Sequence, residues 1–260
     1  MNIIGIIPGR MGSSRFPGKP LAKICGIPMI EHVYRRSVMS GILNDVYIAT
    51  CDQVIREAAE SCGCNVIMTK DSHERATERT AEAAEKIEER IDSEIDIVVM
   101  IQGDEPMLFP EMIDDVVHPM LQDERIQVAN LMAPLESLEE QRDPNEIKVV
   151  VDKDGFALYF SRMPIPTNKS NDGRTPMFKQ VCIIPFRRDF LYKFNNLQQT
   201  SLEIAESVDM LRILEHGYKV KMIRAKHQTY SVDTPEDLKK VENLMLEDLV
   251  FQKYKSKILI

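Results

Sequence analysis

The chain contains no tryptophan, and its five cysteines, Cys25, Cys51, Cys62, Cys64 and Cys182, form no CxxC pair. An odd count without that spacing gives no disulfide framework. Cys62 and Cys64 with His73 could be imagined as zinc ligands, but the spacing fits no usual structural zinc site. The cysteines read as reduced and mostly buried. No apolar run approaches the length of a membrane span, and the opening "MNIIGIIPGR" lacks the charged start and cleavage site of a secretory signal. The expectation is a cytoplasmic protein with no membrane partner. An excess of basic charge is missing too: 33 Lys and Arg against 41 Asp and Glu leave a net charge of −8. With no interleaving of aromatic and basic residues, that balance argues against broad binding to a nucleic acid backbone.

What is present is an ordinary globular composition, 43% hydrophobic and 28% charged, on 260 residues, enough to bury a substantial core. The first half alternates. "NIIGIIP" (2–8), "DVYIAT" (45–50), "NVIMT" (65–69) and "IDIVVMIQ" (95–102) read as strands. "PMIEHVYRRSVMS" (28–40), "DQVIREAAESCG" (52–63) and "TERTAEAAEKIEERI" (77–91) read as helices. Strands and helices in this order predict parallel β-α-β units. After residue 126 the pattern becomes strand-rich, with "DKDG" (152–155) as a hairpin turn and 163–176 as a Pro/Asn/Ser/Gly loop. Helices return at 201–217 and at 234–249, the latter opening on Thr234 as N-cap, Pro235 at the first helical position and Asp237 at the third. No linker separates independent domains, so the expectation is one domain over residues 1–260.

Three stretches carry candidate chemistry. "PGRMGSSRFPGKPL" (8–21) follows the first strand and places Arg10, Arg15 and Lys19 among glycines and prolines. It is no P-loop, because five residues separate Gly12 from Gly18 and Pro20 follows Lys19. Glycines that admit backbone N–H groups, with converging cations at a strand's carboxyl end, still describe an anion site. "IQGDEPML" (101–108) sets Asp104 and Glu105 just past a buried strand, where carboxylates suit Mg²⁺; the plainer reading is that Asp104 caps a loop. Asp233, in "YSVDTPEDL", reads as an ordinary turn residue unless the fold brings it beside Asp104. In "DSHERATERTAE" (71–82), His73, Arg75, Thr77 and Arg79 suit either a base or phosphate contact or a solvated helix start.

These motifs, with "GIPMIEHV" and "DPNEIKVVVDKDGFALYFSR", occur in one order over about residues 3–245. In that order the chain resembles the CMP-Kdo synthetases, the 3-deoxy-manno-octulosonate cytidylyltransferases. The resemblance implies an α/β nucleotidyltransferase fold, a Rossmann-like three-layer sandwich with a mixed sheet, and a homodimer. It also implies a strand-rich subregion at about 126–200 for acceptor binding and dimerisation. The implied reaction transfers CMP from CTP to an acidic sugar, with release of pyrophosphate, for cell-surface polysaccharide or lipopolysaccharide precursors. Arg10, Arg15, Lys19, Asp104 and Asp233 are then the catalytic set, with Asp104 and Asp233 holding Mg²⁺. The nucleotide pocket takes Pro8, Gly9, Ser13 and Ser14 from the first loop. It takes His73, Arg75, Ala76, Thr77 and Arg79 from the second, and Gln102 and Gly103 from the third.

Arg162 falls where the family contacts the sugar acid, and here the chain departs from its relatives. Gln180 stands for a family His and Ile184 for a Tyr, while Asp209 and Met210 replace a Glu-Gln pair. Loss of an imidazole and a hydroxyl would leave acceptor hydroxyls unpaired. An acceptor half retuned toward a modified Kdo, another sugar acid or a small acid or phosphonate is therefore the alternative expectation. A related glycosyltransferase would want a D-x-D motif, which "GDEP" does not supply. A catalytically dead relative would not need Arg10, Lys19, Asp104 and Asp233 together.

Overall fold

The computed structural model describes residues 1–12, 16–167 and 176–255. The chain divides into two compact units, Met1–Asp114 with Thr229–Ile260, and Asp115–Gln228. The first unit is the alternating half. Strands β1 (Ile3–Gly9), β4 (Asp45–Thr50), β5 (Val66–Met68) and β6 (Ile97–Ile101) line up in the order β6-β1-β4-β5, every pairing parallel. Short strands β2 (Lys23–Ile24) and β3 (Ile27–Pro28) make a small antiparallel pair. Helices α1 (Met29–Ser37), α2 (Gln53–Ser61) and α3 (Ala76–Ile91) connect the parallel strands. All five residues of β6 and six of the seven in β1 are buried, as continuous apolar runs in a parallel sheet should be. Helix α2 stops where Gly63 takes a φ of 73°, its N–H donating to the Glu60 carbonyl.

Helix α4 (Pro110–Gln122), with Pro119 near its end, spans the boundary between the units and was not expected from the sequence. The second unit holds β7 (Ala129–Pro134), α5 (Leu138–Arg142), β8 (Lys148–Val151), β9 (Ala157–Ser161), β10 (Phe178–Val181), β11 (Ile183–Arg187), α6 (Arg188–Asn195), α7 (Ser201–Glu206), α8 (Met210–Glu215) and β12 (Lys221–Arg224). Its sheet runs β12-β7-β10-β8-β9, with β12 parallel to β7 and the other neighbours antiparallel. The β8–β9 turn is the expected one: Gly155 has a φ of 77°, and Asp152 Oδ1 accepts from the N–H groups of Asp154 and Phe156. The single helix expected at 201–217 is two, α7 and α8. Ser207 interrupts it with a φ of 52°, left-handed without being glycine. Parallel and antiparallel sheets together make this a mixed α/β fold.

The last expected helix is α9 (Pro235–Met245), and a further helix, α10 (Leu249–Lys255), follows it in the tail. α9 and α10 complete the first unit. Ile24, Ile27, Met29, Met107, Val232 and Met245 share one buried cluster with Val250, Phe251 and Tyr254 of α10. A polar seam runs through this cluster. His32 Nε2 lies 2.9 Å from the Ile24 carbonyl and Nδ1 2.6 Å from the Tyr254 hydroxyl. A carbonyl only accepts, so Nε2 carries the proton and Nδ1 accepts from Tyr254. Fully buried Arg36 pairs with Asp248 and donates to the Leu108 carbonyl at 3.2 Å. A buried pair of this kind costs most when one partner is removed.

Burial pushes the His32 pKa down to about 4, with the Ile24 hydrogen bond opposing and Arg36 reinforcing the shift. Above pH 6.5 the ring is neutral whether the chain is folded or not. Between pH 6.5 and about 4 only the unfolded chain binds the proton, so stability falls as the solution is acidified. Urea unfolding should show a loss approaching about 3 kcal/mol across that window. A His32→Gln variant should show a shallower slope between pH 6.5 and 5; an unchanged slope would contradict the assignment.

Candidate active site

The carboxyl ends of β1 and β6 open on a cleft of about 340 Å³. Pro8, Gly9, Arg10, Gly12, Lys19 and Pro20 line it from the first loop, and Gln102, Gly103 and Asp104 from the third. His73, Glu74, Arg75, Ala76 and Arg79 line it from the start of α3, while Met29 and Ile30 contribute from α1. Gly9 leaves little room where it stands: a Cβ there would come within 2.7 Å of Ile30 Cδ1 and push that side chain aside. The loop is pinned at its root, Met11 N–H donating to Asp52 Oδ2 at 2.8 Å and Gly18 N–H to the Met11 carbonyl at 3.1 Å. Gly18, at φ 75°, turns the chain into the 3-10 turn that begins at Lys19.

Lys19 is the junction. Its Nζ donates to Asp104 Oδ2 at 2.9 Å, to Asp233 Oδ1 at 3.1 Å and to the Val232 carbonyl at 3.0 Å. The two carboxylate segments are also joined directly, Val232 N–H donating to the Asp104 carbonyl at 2.9 Å. Burial by itself would lower the Lys19 pKa; Asp104 and Asp233 outweigh it and hold the pKa above its usual value. The ammonium is therefore charged. Asp233 is fixed from behind: Asp237 Oδ2 accepts from the N–H groups of Asp233 and Thr234, at 3.1 and 2.9 Å, and Thr234 Oγ1 accepts from Asp237 N–H. This is a capping box, as the Thr-Pro-Glu-Asp spacing predicts.

Arg79, which also lines the cleft, is 3% exposed. Nη1 donates to Thr69 Oγ1 and to the Lys70 carbonyl, while Nη2 has no hydrogen-bond partner among the described residues. A buried guanidinium with an idle donor beside a cleft suits an anionic or carbonyl-bearing ligand. His73 Nε2 pairs with Glu82, which also takes Lys86 and the Lys70 N–H. Burial favours the protonated acid, but these partners hold the Glu82 pKa down to about 2.

The cleft gathers Pro8, Gly9, Arg10, Lys19, His73, Arg75, Ala76, Arg79, Gln102, Gly103 and Asp104. Asp233 reaches it through Lys19. Thr77 is 1% exposed and is not among the lining residues. Ser13, Ser14 and Arg15 lie outside the described residues. Gly12, Pro20 and Glu74 line it from the stretches already singled out, whereas Met29 and Ile30 were unanticipated, "GIPMI" being the available signal.

The residues expected at the acceptor lie in the second unit. Arg162 spends its guanidinium on the carbonyls of Glu206, Pro144 and Ser207, at 2.6, 2.8 and 3.4 Å. Gln180 Nε2 donates to Asn130 Oδ1 at 2.6 Å. Asp209 stands at the start of α8 with its carbonyl accepting from Arg212 N–H. Ile184 and Met210 are core residues, 1% and 0% exposed.

Two carboxylates held together are hard oxygen donors of the kind Mg²⁺ takes when phosphate oxygens and water complete its shell. Among the described residues no group of three or more His, Cys, Asp or Glu side chains would hold an ion unaided. Asp104 and Asp233 thus fit an ion that arrives with a phosphate ligand.

A parallel sheet with cations and paired carboxylates at its strand ends defines the class as an α/β enzyme that handles phosphates. The family model described as "Cytidylyltransferase" matches residues 4–223. The chain is 42% identical over 251 residues to a 3-deoxy-manno-octulosonate cytidylyltransferase of Geobacter metallireducens, covering 93% of this chain and 96% of that one. It is 42% identical over 247 residues to the mitochondrial protein of the same name from Arabidopsis thaliana, covering 94% and 83%. A solved structure of CMP:2-keto-3-deoxy-manno-octonic acid synthetase complexed with CTP superposes with a TM-score of 0.86 at 37% identity, covering 96% of this chain and all of that one. The chain belongs to the cytidylyltransferases, and among them to the 3-deoxy-manno-octulosonate cytidylyltransferase family.

The capping box makes a remote residue matter at this site. Asp237→Ala should lower stability by about 1 kcal/mol and reduce turnover while the apparent affinity for nucleotide changes little. Full activity in a variant with the expected stability loss would show that Asp233 needs no such support.

Proposed function

We propose that this chain transfers CMP from CTP to 3-deoxy-manno-octulosonate, Kdo, with release of pyrophosphate. Its family and its CTP-bound structural relative support this reading. The observation that carries it is the Lys19 ammonium bonded to both Asp104 and Asp233 at the mouth of a cleft that also holds Arg10 and Arg79. The acceptor hydroxyl oxygen forms a bond to the α-phosphorus, the bond from that phosphorus to the bridging oxygen breaks, and the hydroxyl proton passes to solvent or base. Negative charge grows on the departing pyrophosphate, where Arg10, Arg15 and Lys19 can offset it. Gly9 and Gly103 let backbone approach the phosphates, and Arg79 supplies an idle donor to the nucleotide. Mg²⁺, held by Asp104 and Asp233 when bound, would neutralise phosphate charge and lower the pKa of the attacking hydroxyl. No covalent enzyme intermediate is required.

On the acceptor side, Arg162, Gln180, Ile184, Asp209 and Met210 remain the proposed contacts by family position, and no observation favours a retuned acceptor over Kdo. We place the enzyme in the cytoplasm as a homodimer supplying activated sugar for cell-surface polysaccharide or lipopolysaccharide. No helix among the described residues is long and apolar enough to cross a membrane. Leu158 and Met163, 61% and 69% exposed, are apolar surface within residues 126–200 that such a contact would cover.

Pyrophosphate release should be seen with CTP and Kdo together and be lost when either is omitted. Lys19→Ala and Asp104→Ala should each reduce kcat by about 10² or more while the fold, followed by circular dichroism, persists. Unchanged turnover in either variant would overturn the site assignment.

A further inference from the structure

An ammonium group has three N–H donors and no acceptor. All three of Lys19's have partners: Asp104 Oδ2, Asp233 Oδ1 and the Val232 carbonyl. In this arrangement Lys19 has nothing left to offer a phosphate, and the two carboxylates have a cation already. We infer that Lys19 is a stand-in cation, occupying the divalent-ion position between Asp104 and Asp233 until metal and triphosphate arrive together, and then moving onto the phosphates. This rests on the site reading above and adds to it an order of events within the cleft.

Charge and hinge both favour this exchange. Two carboxylates tied side by side repel unless a cation lies between them, and Lys19 is 14% exposed, so water screens that repulsion incompletely. A free dication must displace the ammonium and leave it, still charged and mostly buried, without acceptors. That opposes metal binding in the empty cleft. A triphosphate reverses the balance, since its oxygens accept the three released N–H donors while the metal takes over the carboxylates. Only the side chain need move. The Lys19 backbone is fixed by its N–H to the Phe16 carbonyl and by the Ala22 N–H to its own carbonyl, both at 3.1 Å. Four methylenes give the ammonium its reach.

The test is Mn²⁺ binding, read by electron paramagnetic resonance without acceptor. Wild type should bind free Mn²⁺ weakly and bind it well with CTP present. Lys19→Met should bind free Mn²⁺ about tenfold tighter or more than wild type. Adding Asp104→Asn should abolish that gain, and Arg10→Met should not reproduce it. Lys19→Gln serves if the methionine variant does not fold, as judged by thermal unfolding. Equal or weaker free Mn²⁺ binding without Lys19, or a gain that survives Asp104→Asn, would overturn the inference. If wild type binds Mn²⁺ with CTP and the variant shows no gain, the inference alone falls. If wild type binds none even with CTP, the metal reading falls with it.

Discussion

Distant parts of the first unit are tied together by one contact, an ammonium shared by two carboxylates that are 129 positions apart in the chain, at Asp104 and Asp233. Three segments must meet for it: the turn after the glycine loop, the exit of β6, and the return of the chain before α9. Each has its own support. Asp52 and the left-handed Gly18 fix the loop, the Val232–Asp104 backbone bond joins the two exits, and the Asp237 box holds Asp233. Behind them, α10 closes the cluster that includes Ile24, Met107 and Val232, neighbours of all three segments. The tail helix is thus part of the site's foundation, though none of its residues lines the cleft.

Charge explains how an acidic protein holds a polyanion. The net charge of −8 belongs to the whole surface, whereas Arg10, Lys19 and Arg79 are concentrated at the ends of β1 and β6 and the start of α3. Lys19 and Arg79 stand in opposite states. Lys19 has all three donors partnered, whereas Arg79 keeps an idle donor among the described residues. In the proposed function the first would supply a switchable charge and the second a recognition group.

Much of this was legible from residue order. The β-α-β alternation, the capped start of α9, the "DKDG" hairpin and the end of α2 at Gly63 all follow from local chemistry, and the structure has them. What local chemistry does not carry is long-range. Asp233 reads as an ordinary turn residue until the fold sets it on Lys19. His32 and Tyr254 are 222 positions apart, and nothing in residue order says that they bond across the core. Thr77 and Arg79 read alike in sequence, yet residues two apart on a helix face different ways, and the cleft takes Arg75, Ala76 and Arg79 while leaving Thr77 buried. Ser207 breaks the helix expected at 201–217 with a backbone conformation for which serine gives no warning. At the acceptor side, Ile184 and Met210 are 1% and 0% exposed in the second unit, a burial that residue order does not announce.

In the proposed function this cleft takes a nucleoside triphosphate and a divalent ion on the Lys19–Asp104–Asp233 junction. A crystal structure with CTP and Mn²⁺, examined for anomalous scattering from manganese, tests it directly. The expected result is a manganese peak bound by Asp104 and Asp233, with Lys19 turned onto the triphosphate and the phosphates lying along Gly9 to Lys19. Nucleotide elsewhere, or manganese bound away from both carboxylates, would contradict it.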